Sequence, residues 1–143
     1  MQDYKKLRVW HRAKDLSLRI IEAFPESAAR KVPGLRSQVI RAATSVAANL
    51  VEGCARSTRP EFLHFIEIAL GSLNEVEGDL VIARGAGVFE EWVHTELQRD
   101  IDLVRKMLLA LMRTVQRQIA EDVSKSTGHS APPRHAELTN PTD

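Results

Sequence analysis

At 143 residues the chain is long enough for one domain with a real core and too short for two. Hydrophobic residues make up 43% and charged residues 27%, as in an ordinary globular protein, while aromatics at 5% leave Leu, Ile, Val and Ala to build the core, a composition that favours helix over sheet. Cys54 is the only cysteine, which excludes an intrachain disulfide and a cysteine-built zinc site.

No stretch approaches the roughly 18 uninterrupted apolar residues of a membrane span. The basic start MQDYKKLRVWHRAK lacks the apolar block of a signal peptide. The expectation is a cytoplasmic protein with no membrane partner. The net charge of +1 hides an asymmetry. Residues 1–59 carry 12 Lys/Arg and 5 Asp/Glu, a balance of +7, and residues 60–143 carry 8 and 14, a balance of −6. Such a split reads either as a basic face for nucleic acid or as attraction between the halves, within one subunit or between subunits.

Residues 1–6 are a short polar lead. Apolar residues at helical spacing, Val9, Ala13, Leu16, Ile20 and Ala23, predict a first helix from about Leu7 to Phe24. Pro25 stops it, because the residue before a proline is pushed out of the helical region. The connector PESAARKVP over 25–33 has enough Ala for a single helical turn.

Pro33-Gly34 marks the start of a second helix, running from about Gly34 to Cys54 or Ala55. Its apolar side is Leu35, Val39, Ala42 or Ala43, Val46, Leu50 and Cys54. Beside it runs a polar line, Gln38, Arg41, Ser45, Asn49, Glu52 and Arg56, also in steps of three and four. Three readings stay open for this line. It faces water; or it closes a structural network in which Arg41 or Arg56 pairs with Glu75 or Asp79 on the next helix; or it forms a ligand or nucleic-acid surface.

Thr58-Arg59-Pro60-Glu61 reads as a capping box opening a third helix over about Arg59–Arg84. Phe62, Ile66, Ala69, Leu73, Val76, Leu80 and Ala83 form its buried stripe. Gly71 and Gly78 interrupt it, each at a cost of about 1 kcal/mol relative to Ala, so each is expected to mark a close contact. One glycine of Gly85-Ala86-Gly87 supplies a left-handed cap. The fourth helix, from about Glu90 to Val123, carries a heptad seam at Leu97, Ile101, Val104, Leu108, Leu111 and Val115. At about 50 Å it outruns the others, so Met112, Val115 and Ile119 are expected to overhang and to need a second subunit. The domain is expected to span 1–123, followed by a disordered C-terminal tail over 124–143.

The predicted fold class is all-α, an antiparallel up-and-down four-helix bundle. Chemistry is sparse. Glu61/His64 and Glu91/His94 are the only Glu-x-x-His pairs, and the bundle sets them some 30 Å apart by helix rise. They are read as surface residues. Cys54 is read as a small buried thiol. No catalytic, cofactor or metal residues are assigned.

Three blocks resemble one family. YKKLRVWHRA at 4–13 resembles the opening of the small proteins encoded by 23S rRNA intervening sequences. SQVIRAATSVAANLVEG at 37–53 resembles their central signature, and EFLHFIEIALGSLNE at 61–75 their third-helix block. The resemblance covers about residues 4–115. It implies a four-helix bundle assembling as a ring, a homopentamer being the expected form; no enzymatic activity is established for the family. A similar bundle occurs in the accessory variability protein of diversity-generating retroelements, a basic nucleic-acid-binding pentamer; this chain departs from it in being near neutral.

The expectation is therefore a non-enzymatic homo-oligomer acting as a binding or scaffold protein. Gln38, Arg41, Ser45, Asn49, Glu52 and Glu75 are the residues of its polar network or interface. The alternative is an RNA- or DNA-binding accessory protein using Lys5, Lys6, Arg8, Arg12, Arg36 and Arg41 on the first two helices.

Overall fold

The structure, a computed structural model, describes residues 1–128. Its elements are a 3-10 turn at Tyr4–Lys6 and five α-helices: α1 Arg8–Ala23, α2 Ala28–Lys31, α3 Leu35–Cys54, α4 Arg59–Gly85 and α5 Glu91–Thr127. No strand occurs among the described residues. The four long helices are the four predicted, and α2 is the single turn expected in the connector. α5 runs to Thr127, beyond the expected end of the domain at 123; the rest of the expected tail, from residue 129 on, lies outside the described residues.

Local chemistry sets the helix ends. Phe24 is extended before Pro25, which ends α1. Gly34 enters α3 at φ +82°, a left-handed conformation that a side chain would strain. At the start of α4 the Thr58 hydroxyl accepts the Glu61 N–H at 3.3 Å, and the Glu61 carboxylate accepts the Thr58 N–H at 3.2 Å. This is the predicted capping box, worth about 1 kcal/mol. At the far end Val88 N–H donates to Ala83 O and Gly87 N–H to Arg84 O, both at 3.0 Å, with Gly87 at φ +70°. That double bond pattern is a Schellman cap.

The long helices pack as a ring in the order α1, α3, α4, α5, with α5 closing on α1. Neighbours run antiparallel. From Gln38–Asp79 to Ser45–Ser72 the contacts step seven residues up α3 and seven down α4. Arg84–Glu91, Glu77–Gln98, Asn74–Arg105 and Arg59–Asp122 step the same way between α4 and α5. Arg19–Asp100, at 2.6 Å, ties α1 to α5. The core is a single cluster in which Leu16, Ile20, Val39, Leu50, Ile66, Leu73, Leu80, Ile101 and Leu108 are almost completely buried. Every predicted apolar position on α3 lies in it, because the 3–4 spacing keeps those side chains on one face as the helix turns.

Two expectations are corrected. A Cβ on Gly71 or Gly78 would meet nothing within 4 Å, and both positions are exposed. The tight glycine is Gly53, whose Cβ would lie 2.9 Å from Phe62 Cδ2 and from Phe65 Cβ. The C-terminal part of α5 does not wait for a second subunit. Val115 is 2% exposed, and Met112 and Ile119 pack on the chain's own core. The reason lies at the N-terminus. Gln2 N–H donates to Cys54 O at 2.8 Å, and Tyr4 and Leu7 pack inward, so the lead segment lengthens the core at that end. Val123, 59% exposed, is the first large apolar residue of α5 beyond it.

Candidate functional site

The polar line of α3 faces α4, and the two helices form a polar seam beside the core. Gln38 Nε2 donates to Asp79 Oδ1 at 2.7 Å. One heptad along, the Ser45 and Ser72 hydroxyls share a hydrogen bond of 2.9 Å. Asn49 Nδ2 donates to Ser45 O at 2.8 Å and to its hydroxyl at 2.9 Å. The seam therefore brings Gln38, Ser45 and Asn49 together through neutral donors. A row of this kind favours one register of two helices, because a one-turn slip would break these part-buried bonds. Burial pushes the Asp79 carboxyl up from its ordinary range, the bond from Gln38 opposing the rise and the charge of Glu75 adding to it. Asp79 Oδ2 is buried without a partner.

The expected charged network is not what closes the seam. Arg41 and Glu75 are exposed, and among the described residues neither makes an ion pair. Glu52 pairs with Arg56 one turn along α3, and the Arg56 guanidinium sits 4.8 Å above the Phe65 ring. Ser72 is the member that sequence reasoning missed. It stands seven residues before Asp79, the mirror of the step from Gln38 to Ser45, a signal that acquires meaning once the register is known.

Outside the seam, α4 presents a second pattern. His64, Ile68, Gly71, Glu75, Gly78, Ile82 and Gly85 are all exposed and are spaced 4, 3, 4, 3, 4, 3. Ile68 and Ile82 are 38% and 54% exposed, and Val81 beside them 57%, which is unusual for three β-branched side chains on one helix. Arg41 and Ala48 of α3 flank this ridge, as exposed residues on the α4 side of their helix.

The basic residues divide. Lys5 and Lys6 stand on the 3-10 turn, and Arg8 and Arg12 on the first turns of α1, all exposed. Arg36 is not with them: its Nε donates to Phe24 O at 2.8 Å, tying α3 to the end of α1. Arg41 lies on the opposite flank of α3, toward α4. The two helices thus do not share one basic face, because Arg36 and Arg41 sit on different sides of α3.

Titratable groups elsewhere are structural. His94 is buried, correcting its reading as a surface residue; it stacks on Phe89 at 6.4 Å and its Nε2 has no partner. His64 is exposed and meets Phe65 edge-on at 5.7 Å. Cys54 is buried as expected, and burial pushes its thiol up. Glu77 is held low, first by the bond from Gln98 at 2.6 Å and then by Arg105 at 3.2 Å. Among the described residues no three His, Cys, Asp or Glu gather to hold a metal, and no helix is long and apolar enough to cross a membrane.

The family described as 23S rRNA-intervening sequence protein matches residues 5–110 of this chain. Among solved structures, a protein of unknown function from the S23 ribosomal protein family of Bacteroides thetaiotaomicron superposes with a TM-score of 0.68 at 21% identity, covering 73% of this chain and 95% of that one. At that identity the likeness is one of fold. No curated protein matches the sequence.

Proposed function

We propose that this chain, which belongs to the 23S rRNA-intervening sequence protein family, acts in the cytoplasm by binding rather than catalysis, as a homo-oligomer whose subunits meet on the outer face of α3 and α4. One observation carries the reading: the exposed heptad ridge of α4. Gly71 and Gly78 each cost about 1 kcal/mol in a helix interior, and nothing in the subunit lies near enough to require them. A neighbouring helix packed closely on the ridge supplies that reason, since glycine lets backbones approach. Ile68, Val81 and Ile82 provide the apolar area, and Arg41 and Glu75 provide opposite charges free to pair across the contact. A ring of five subunits is the form we favour, with assembly presenting many copies of one binding surface.

Sedimentation at moderate salt tests this. The expected species has a mass several times 16.0 kDa, and Gly71→Gln together with Ile82→Glu returns it to a monomer with an unchanged helical spectrum. A wild-type chain that sediments as a clean monomer refutes the reading.

A further inference from the structure

The acidic half of the sequence contributes to a basic surface. α5 carries Arg99, Lys106, Arg113 and Arg117 in steps of seven, seven and four, which places them along one exposed ridge about 27 Å long. The antiparallel register set by Arg19–Asp100, and by Arg12 lining a shallow depression with Leu103 and Val104, puts the middle of this ridge beside the first turns of α1. Arg8 and Arg12 therefore flank Lys106 and Arg113, with Lys5 and Lys6 just beyond.

These cations are unengaged, whereas several others are not. Arg19, Arg56, Arg59, Arg84 and Arg105 are in ion pairs, while Lys31 and Arg36 are bonded to backbone carbonyls. No ion pair or side-chain hydrogen bond among the described residues involves Arg8, Arg12, Lys106, Arg113 or Arg117. Of the acids nearby, Asp100 is committed to Arg19, Asp102 to Gln98 and Arg105, and Asp15 to Lys14, while Glu96 and Glu121 stand at the two ends of the ridge. Between those two acids the ridge carries unpaired positive charge, on the side of the bundle away from the α4 ridge.

We infer that the α1–α5 face binds the phosphodiester backbone of a nucleic acid, with Arg8, Arg12, Lys106, Arg113 and Arg117 as its phosphate contacts. Charge complementarity selects a polyanion, and a straight row of cations on a rigid helix suits a regular series of phosphates. A membrane surface fits less well, because Leu103 is the one large apolar side chain exposed on this stretch of the ridge. Arginine and lysine aimed at phosphates position a nucleic acid without reading its bases, so the binding is independent of sequence.

The test is fluorescence polarisation of the full chain with a labelled RNA hairpin, a DNA duplex of the same sequence, and phosphatidylserine vesicles. Five phosphate contacts give a slope of log affinity against log salt near −4.5 for duplex DNA, a loss of several hundredfold between about 50 and about 200 mM salt. Arg113→Ala and Lys106→Ala each lower that slope by about one, whereas Arg30→Ala, on α2 at the other end of the bundle, leaves it unchanged. Comparison of the hairpin with the duplex shows which nucleic acid is preferred. The inference is overturned by no binding of either at about 50 mM salt, by affinity indifferent to Arg113→Ala and Lys106→Ala, or by binding to vesicles alone. Since the face is independent of the α4 ridge, a monomeric chain that binds nucleic acid refutes the assembly and leaves this inference standing.

Discussion

Gly53→Ala is the sharpest test of how the seam is built. The added Cβ would sit 2.9 Å from Phe62 Cδ2, 2.9 Å from Phe65 Cβ and 3.4 Å from Phe62 Cε2. Ordinary carbon contacts lie at about 3.5–4.0 Å, so the approach is short by about 0.6 Å or more. Phe62 can turn its ring, but Phe65 Cβ is fixed to the backbone of α4, and relief there requires the helix itself to move. The Ser45–Ser72 and Gln38–Asp79 bonds resist that movement from farther along the same pair of helices. Overpacking of this kind costs about 1–3 kcal/mol, and alanine returns about 1 kcal/mol of helix propensity. The net expectation is a loss of up to about 2 kcal/mol, which lowers the urea midpoint by up to roughly 1 M for ordinary urea m-values. Unfolding followed by circular dichroism at low protein concentration measures it. A variant more stable than the wild type would show that the close approach of α3 and α4 at Gly53 is wrong.

Thr58→Ala removes the capping box of α4 and is expected to lower stability by about 1 kcal/mol without altering assembly; an unchanged midpoint refutes the cap. Asp79→Asn tests the buried carboxyl through pH. Burial raises its proton affinity on folding, so the folded chain holds more protons than the unfolded one from the ordinary value of 3.8 up to the raised one. Stability contributed by the neutral form is present at low pH and is lost as pH rises through that window. Asparagine cannot ionise, so this loss disappears in the variant, and the difference between variant and wild-type midpoints should move in the variant's favour from acid to neutral pH. Parallel pH profiles would refute it.

The bundle was legible because its information is local and periodic. The capping box, the glycine stop after α4, Pro25 and the 3–4 spacing of apolar residues each act within a few residues of themselves, and each produced the element it predicted. The buried stripe on α3 was readable for the same reason, as was the burial of Cys54. His94 was not, because nothing nearby in sequence says that Phe89 will fold back to stack on it. Gly71 and Gly78 were misjudged because a glycine's cost is local whereas its reason depends on what packs against it.

By itself the sequence determined which segments are helical, which face of each is apolar, and to which family the chain belongs. The register between helices was decided by tertiary structure. Only the antiparallel alignment of α3 with α4 makes Ser72 the partner of Ser45, gives Asp79 to Gln38 rather than to Arg41, and leaves Arg41 and Glu75 outside the seam. Charge followed the same rule. The +7 and −6 halves do not form two opposed faces, because folding places Lys106, Arg113 and Arg117 of the acidic half beside Arg8 and Arg12 of the basic one. A helix presents its side chains every 100° or so of turn, so charges close in sequence scatter around it. Charges far apart in sequence can share one ridge once packing has chosen the neighbours.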